Sequence, residues 1–233
     1  MRDILGRTDI DLAYAVQLHL TRRRVESGRS VLGRKIGLTS AAVQRQVGVD
    51  RPDFGVLFDD MLVTDGALPP GRLLQPRVEA EIAFVLDRDL DADRIDVATA
   101  RAAVAYATAA LEVVDSRISN WDISITDTIA DNASSGMFVL GAQRVPVTVF
   151  EPRDVTMSMT LDGREVSTGT GRDCLGDPLA ALTWLANTVR DLGEPLRAGE
   201  VVLSGALGPL VALPAGAHVR ATISTLGPVD LTS

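Results

Sequence analysis

The chain has one cysteine, Cys174, and two histidines, His19 and His218, in 233 residues. A single cysteine excludes an internal disulfide and suits a reducing compartment. So few thiol and imidazole donors, in no ligand spacing, make zinc a poor candidate. Cys174 has no neighbouring histidine to activate it, which argues against a thiol nucleophile. A Gly-x-Ser-x-Gly elbow is also missing, so a Ser-His-Asp hydrolase is unsupported. Basic charge is scarce: the net charge of −8 argues against a nucleic-acid partner, which needs a basic surface. No apolar run approaches the ~20 residues of a membrane helix, and no basic stretch followed by an apolar run marks a signal peptide. Repeats and low-complexity tracts are absent. The expectation is a soluble, cytoplasmic protein without nucleic-acid or membrane partners.

What is present suits a packed core: 46 % hydrophobic and 23 % charged residues. Asp9 or Asp11 caps a predicted helix through about Glu26, ended by Gly28. Its apolar stripe is Leu12, Ala15, Val16 and Leu18, with His19 packed beside it. Arg22, Arg23 and Arg24 complement the dipole at its end. Val31–Leu38 reads as a short strand and Ser40–Val47 as a short helix capped by Thr39. A loop follows over Gly48–Phe54, then a strand around Val56–Phe58. The turn-rich connection from Asp65 to Gly71 is the candidate boundary between an N-terminal α/β portion, residues 1–68, and the main body, 69–233. Arg94–Ala110 is Ala-rich and predicted helical. Asn120–Ser135 reads as polar and irregular. Asp162-Gly163 marks a hairpin turn, and Asp177-Pro178 opens a helix through about Leu192. Short strands near Val201–Leu203, Val219–Ile223 and Val229 complete an α+β pattern.

The most informative stretch is Gln75–Leu86. It reads as a strand, so Glu79 and Glu81, two apart, project from one face while Val78, Ala80 and Ile82 take the other. Two adjacent carboxylates repel unless a proton or a divalent cation neutralises them. The competing reading is the wet face of an amphipathic strand. Glu112, set in the strand-like Leu111–Arg117, adds a third carboxylate in apolar surroundings and favours a hard cation, Mg²⁺ or Mn²⁺. Lys35 lies between Gly33 and Gly37, where glycines permit close approach of backbone or ligand. Taken alone, a lysine is usually a solvated charge; desolvated, it can serve as an acid or base. Ser204–Pro209 is a Gly-rich turn without the P-loop Lys, able to present N–H groups to a carboxylate.

These segments, with Gln46–Gly55 and Asp131–Gly136, resemble the 2-hydroxypenta-2,4-dienoate hydratases of the fumarylacetoacetate hydrolase superfamily, in order and over nearly the whole chain. The resemblance implies a mixed, strongly curved β-structure of pseudo-barrel look, a Mg²⁺ or Mn²⁺ cofactor and a homo-oligomer. Association with a paralogous decarboxylase or a downstream aldolase is a further expectation. By the same resemblance Glu79, Glu81 and Glu112 are metal ligands, Lys35 is the acid/base, and Asp53 an active-site aspartate. Ser134, Ser135, Ser204 and Gly205 approach the substrate. Leu57, with Phe54 and Met61, is a candidate for the far end of the substrate. Many relatives carry His where this chain has Asp177, which reads here as a helix cap. The implied reaction is hydration of a 2-hydroxy-dienoate, through its 2-oxo-3-enoate tautomer, to a 4-hydroxy-2-oxo acid in meta-cleavage catabolism. Lys35 would move the proton, and Asp53 or a water on the metal would orient or deprotonate the nucleophilic water. A 4-oxalocrotonate-type decarboxylase is the alternative enzyme, and a non-catalytic partner of one the alternative from another class.

Overall fold

The computed structural model describes residues 4, 6, 8–40, 44 and 51–233. Helix α1 spans Ile10–Glu26, with the Asp9 side chain accepting from the Leu12 N–H at 3.0 Å. Gly28, at φ +93°, follows its end. Its buried residues are Ala13, Gln17 and Thr21, not the predicted stripe. Leu12 is 41 % exposed, and His19 faces solvent. The helix buries a narrow small-and-polar stripe at i, i+4, i+8: Ala13 packs against Ile125, Ile129 and Ala130, and Gln17 meets backbone, as described below. The proposed helix over Ser40–Val47 and the Gln46–Asp50 part of the resemblance fall mostly outside the described residues.

The main sheet is mixed. Its strands are β1 (Val31–Gly37), β2 (Asp53–Phe58), β3 (Arg77–Leu86), β4 (Val104–Val114), β5 (Ser135–Leu140) and β8 (Val201–Ala206), in the order β2-β1-β8-β3-β4-β5, with the short β9 (Val211–Ala212) on β3. Residues before position 68 thus supply two strands of the sheet that the later residues complete. Asp53 and Phe54, expected in a loop, open β2. A second, antiparallel sheet contains β6 (Thr156–Leu161), β7 (Arg164–Thr170), β10 (His218–Ile223) and β11 (Gly227–Thr232), in the order β11-β10-β6-β7. The Asp162-Gly163 turn joins β6 to β7, both residues at positive φ.

The Ala-rich segment departs from its predicted helix. Only α2, Val97–Ala102, is helical; from Val104 the chain runs as β4 between β3 and β5. Ala107, Ala109 and Ala110 are fully buried there. Small side chains let the central strand sit beneath packed layers on both faces, so tertiary packing overrides local helix propensity. The segment 120–135 is also more regular than expected. It holds helix α3, Ile125–Ala130, which starts with a capping box between Ser124 and Asp127. Helix α4, Pro178–Asp191, begins as predicted with Asp177 accepting from the Leu179 N–H.

Alternation along β3 sorts its two faces. Val78, Ala80, Ile82 and Phe84 enter the large core shared with α4 and the second sheet. Each fully buried Ile or Phe contributes roughly 1.5–3 kcal/mol. The opposite face carries Glu79 and Glu81, then Ala83 in a smaller apolar cluster with Leu57, Met61, Ala110, Phe138 and Leu203. No helix among the described residues is long and apolar enough to cross a membrane.

Candidate active site

Register brings the acidic residues together. β3 and β4 are antiparallel with Glu79 directly opposite Glu112. Carboxylate oxygens of Glu79, Glu81 and Glu112 lie within 4.8 Å of one another. At that distance each ionised pair repels by roughly 3–4 kcal/mol for an effective dielectric constant of ~20. Glu81 and Glu112 are fully buried, so water cannot relieve this. Glu81 Oε1 and Glu112 Oε2 lack a partner. Burial, and then the charge of Glu112, push Glu79 up to about 7. The same two causes, joined by Glu79, hold Glu81 well above the usual carboxylate range. Burial and mutual repulsion thus favour protons on Glu79 and Glu81. Three hard carboxylate donors, with Glu81 Oε1 and Glu112 Oε2 left without a partner, fit a divalent cation of the Mg²⁺ or Mn²⁺ kind.

Lys35 faces the cluster from β1, where it pairs with Gly55 of β2 and Leu203 of β8. Its ammonium lies 3.0 Å from Glu112 Oε1 and donates to the Ala133 carbonyl at 3.1 Å. It is 2 % exposed. Burial pulls its pKa down, but the charges of Glu112, Asp53, Glu79 and Glu81 outweigh that and hold it above the ordinary lysine value. It is also the only lysine in the chain, one among 23 basic side chains.

Asp53, at the start of β2, is paired with Gly37. A Cβ on Gly37 would stand 2.2 Å from Asp53 Oδ1, so glycine leaves room for this carboxyl. Burial raises its pKa, opposed by Lys35. Oδ2 accepts from Thr128 Oγ1 at 3.3 Å, and that hydroxyl contacts Ser134 Oγ at 3.3 Å. Asn132, Ala133 and Ser134 all have left-handed φ, between 52° and 56°. This strained turn, a kind that gathers at functional sites, aims the Ala133 carbonyl at Lys35.

β8 closes the site. Glu81 of β3 pairs with Ala206, whereas Ala83 pairs with Leu203, so β8 carries an extra residue at a bulge. Gly205 sits there at φ +105°, and its N–H donates to Glu81 Oε2 at 2.7 Å.

The structure therefore brings Lys35, Asp53, Glu79, Glu81, Glu112 and Gly205 together, with Ser134 joined through Thr128. Other expected residues lie apart from the carboxylates. Ser135 Oγ donates to the Asn132 carbonyl. The fully buried Ser204 hydroxyl donates to the Gly205 carbonyl. Leu57 is in the apolar cluster on the same sheet face, while Phe54 turns to the other face and stacks on Tyr14. Thr128 and Gln17 were not legible as site residues, and Asn132 fell within the Asp131–Gly136 stretch of the resemblance without a role of its own. The Ser124-x-x-Asp127 capping signature would have located the helix that carries Thr128. Two cavities lie elsewhere. One of about 270 Å³ sits between α1 and the end of α4, and one of about 700 Å³ behind Asn132–Gly136. Neither is lined by the three glutamates, so the chemistry of the cluster identifies the site.

The family model for the fumarylacetoacetate (FAA) hydrolase C-terminal region matches residues 34–232. The chain belongs to the fumarylacetoacetate hydrolase family. Within it, the chain is 52 % identical over 233 residues to a 2-keto-4-pentenoate hydratase of Burkholderia vietnamiensis, covering 100 % of this chain and 89 % of that one. A 2-hydroxyhexa-2,4-dienoate hydratase of Comamonas testosteroni is 42 % identical, over 94 % of this chain and 84 % of its own. Among solved structures, 4-oxalocrotonate decarboxylase from Pseudomonas putida G7, complexed with magnesium and adipate, superposes with a TM-score of 0.94 at 31 % identity, covering 99 % of this chain and 88 % of that one. The fumarylacetoacetate hydrolase fold, a curled half-barrel sheet with a few helices, is thus the expected α+β class.

Proposed function

We propose that this protein is a divalent-metal-dependent hydro-lyase that converts 2-hydroxypenta-2,4-dienoate, or a close alkyl homologue, to a 4-hydroxy-2-oxo acid in meta-cleavage catabolism. The observation that carries this reading is the single sheet face that unites three glutamates, one buried lysine and one buried aspartate. Identity near 50 % to proteins named hydratases favours hydration over the decarboxylation named for the structurally similar 31 % relative. Glu79, Glu81 and Glu112 would hold Mg²⁺ or Mn²⁺. The cation, when bound, supplies Lewis acidity to the 2-oxygen and carboxylate of the substrate.

The chain's own groups divide the proton work. Lys35, an ammonium whose charge is favoured by four surrounding carboxyls, is the proton donor at C5. The dienol O–H proton passes to the Lys35 amine left by that transfer, and the 3,4-enone conjugated to the 2-oxo group results. Asp53, with one oxygen unpartnered and the other held by Thr128, orients water for addition at C4, takes its proton, and returns that proton to C3, which the addition leaves as an enolate carbon. The buried surroundings exclude bulk water and strengthen each of these charge interactions.

The test is purified protein with 2-hydroxypenta-2,4-dienoate, with and without Mg²⁺ or Mn²⁺, followed by loss of dienol absorbance and product mass. Metal-dependent gain of one water is expected. Release of CO₂ from 4-oxalocrotonate, without dienoate turnover, would move the assignment to the decarboxylase. We place the protein in the cytoplasm as a homo-oligomer; sedimentation of the full chain measures the assembly.

A further inference from the structure

β2 is the edge strand of the main sheet, and its free side is not left to water or to another strand. In an antiparallel pair alternate residues direct both N–H and C=O away from the partner, here Phe54 and Val56. Two carboxamide side chains meet them. Asn132 donates to the Val56 carbonyl at 2.9 Å and accepts the Val56 N–H at 2.8 Å. Gln17 of α1 donates to the Phe54 carbonyl and to the Ile129 carbonyl, both at 2.9 Å. Gln17, Phe54 and Ile129 are all buried, at 4 %, 5 % and 1 % exposure. Tyr14, on the preceding turn, stacks on Phe54 with ring centroids 4.6 Å apart.

The two carbonyls that Gln17 bridges belong to the residues immediately after Asp53 and Thr128. Those two residues make the 3.3 Å hydrogen bond that anchors the Asp53 carboxyl. Its other oxygen, Oδ1, has no hydrogen-bond partner. The carboxyl orientation therefore depends on the spacing between β2 and α3, and the carboxamide of Gln17 spans that spacing.

We propose that Gln17 is a positioning residue for the reaction, fixing β2 against α3 so that Thr128 holds Asp53 in its working orientation. This rests on the catalytic reading of Asp53. A side chain of the same length without the amide hydrogens leaves both carbonyls unmet, lets the two backbones part and frees the Asp53 rotamer.

The experiment is a double-mutant cycle on the metal-loaded full chain with 2-hydroxypenta-2,4-dienoate. Because a misplacement of about 1 Å costs ~100-fold in rate, Gln17→Met and Thr128→Val are each expected to lower kcat by about that factor, with KM and the Mg²⁺ half-saturation unchanged within about twofold. Thr128→Ser, which keeps the hydroxyl, restores turnover. The Gln17→Met/Thr128→Val pair loses little more than either alone, since both break one linkage. Multiplicative losses, or a lower melting temperature with kcat intact, would overturn the proposal. Gln17→Asn, too short to bridge both carbonyls, replaces Gln17→Met should that variant not fold. A substrate-free readout separates this inference from the proposed activity. If the wild type hydrates nothing, the functional reading falls, and crystal structures of the wild type and Gln17→Met still decide the positioning. Thr128 Oγ1 and Asp53 Oδ2 are expected to move out of hydrogen-bond reach in the variant, and an unchanged separation overturns the proposal.

Discussion

The two sheets use the same alternation of apolar and polar side chains to opposite ends. In the four-stranded sheet, β10 alternates buried and exposed residues. Its polar side is open: Asp230, His218 and Arg220 are each about half-exposed, with Asp230 Oδ1 covered between His218 at 3.3 Å and Arg220 at 3.5 Å. In the seven-stranded sheet the acidic side of β3 is enclosed. Glu81 and Glu112 are fully buried; Lys35 meets Glu112 Oε1, and Glu81 Oε1 and Glu112 Oε2 have no partner. Exposed charges on a strand are inexpensive and contribute little. Enclosed ones are costly unless neutralised, so a site of that kind persists only with a proton, an ammonium or a cation in it.

Substitutions can break this comparison in order of effect. The largest is expected for Lys35→Met. Turnover should fall by ~10²–10⁴-fold, the usual value of a positioned acid/base, while Mg²⁺ affinity measured calorimetrically is retained or tightened. Retained turnover would remove Lys35 from the chemistry. Glu81→Gln should act in the opposite sense, weakening Mg²⁺ binding by at least ~100-fold, since outer-shell partners alone cost 10–100-fold; unchanged affinity would take Glu81 out of the metal set. Gly205→Ala comes next. Its Cβ would meet Thr39 Cγ2 at 2.3 Å at a φ of +105°, so a stability loss of about 1–3 kcal/mol is expected in denaturant unfolding, together with a loosened Glu81. The enclosed sheet also has a pH signature. Glu79 is pushed up to about 7 by burial and Glu112, so the metal-free folded protein binds a proton that the unfolded chain releases at lower pH. That stability is fully present below the unfolded carboxylate value and is lost as pH rises through about 7. Thermal melts from pH 5 to 8 should show this decline, and Mg²⁺ should flatten it; a flat metal-free profile contradicts it. The smallest effect belongs to the open sheet: Asp230→Asn should change stability by less than about 1 kcal/mol.

Sequence periodicity located the acidic strand, the cap at Asp177, the hairpin at Asp162-Gly163 and, as one of two candidates, the cap at Asp9, because each depends on neighbours in the chain. It could not separate a wet strand face from an enclosed one, because what covers Glu79 and Glu81 is supplied by residues from Lys35 to Gly205. The Ala-rich β4 misled for the same reason: its small residues are required by strands on both sides. The burial of Gln17 was invisible because its partners are carbonyls 37 and 112 positions away. Lys35 carried a usable signal that a local reading missed. In a chain whose other basic residues are all arginine, a lone lysine is a choice of ammonium over guanidinium.

The central place of β8 has a consequence for synthesis. This strand lies between β1 and β3, parallel to the first and antiparallel to the second. Lys35, Asp53 and the three glutamates all leave the ribosome before residues 201–206. Until those residues emerge, the nascent chain holds its acidic strand and its lysine strand with no strand to join them. The acidic cluster is thus enclosed late in folding, by long-range pairing of the slow kind: the β3–β4 hairpin sets Glu79 opposite Glu112 on its own, and only β8 then ties it to the lysine strand.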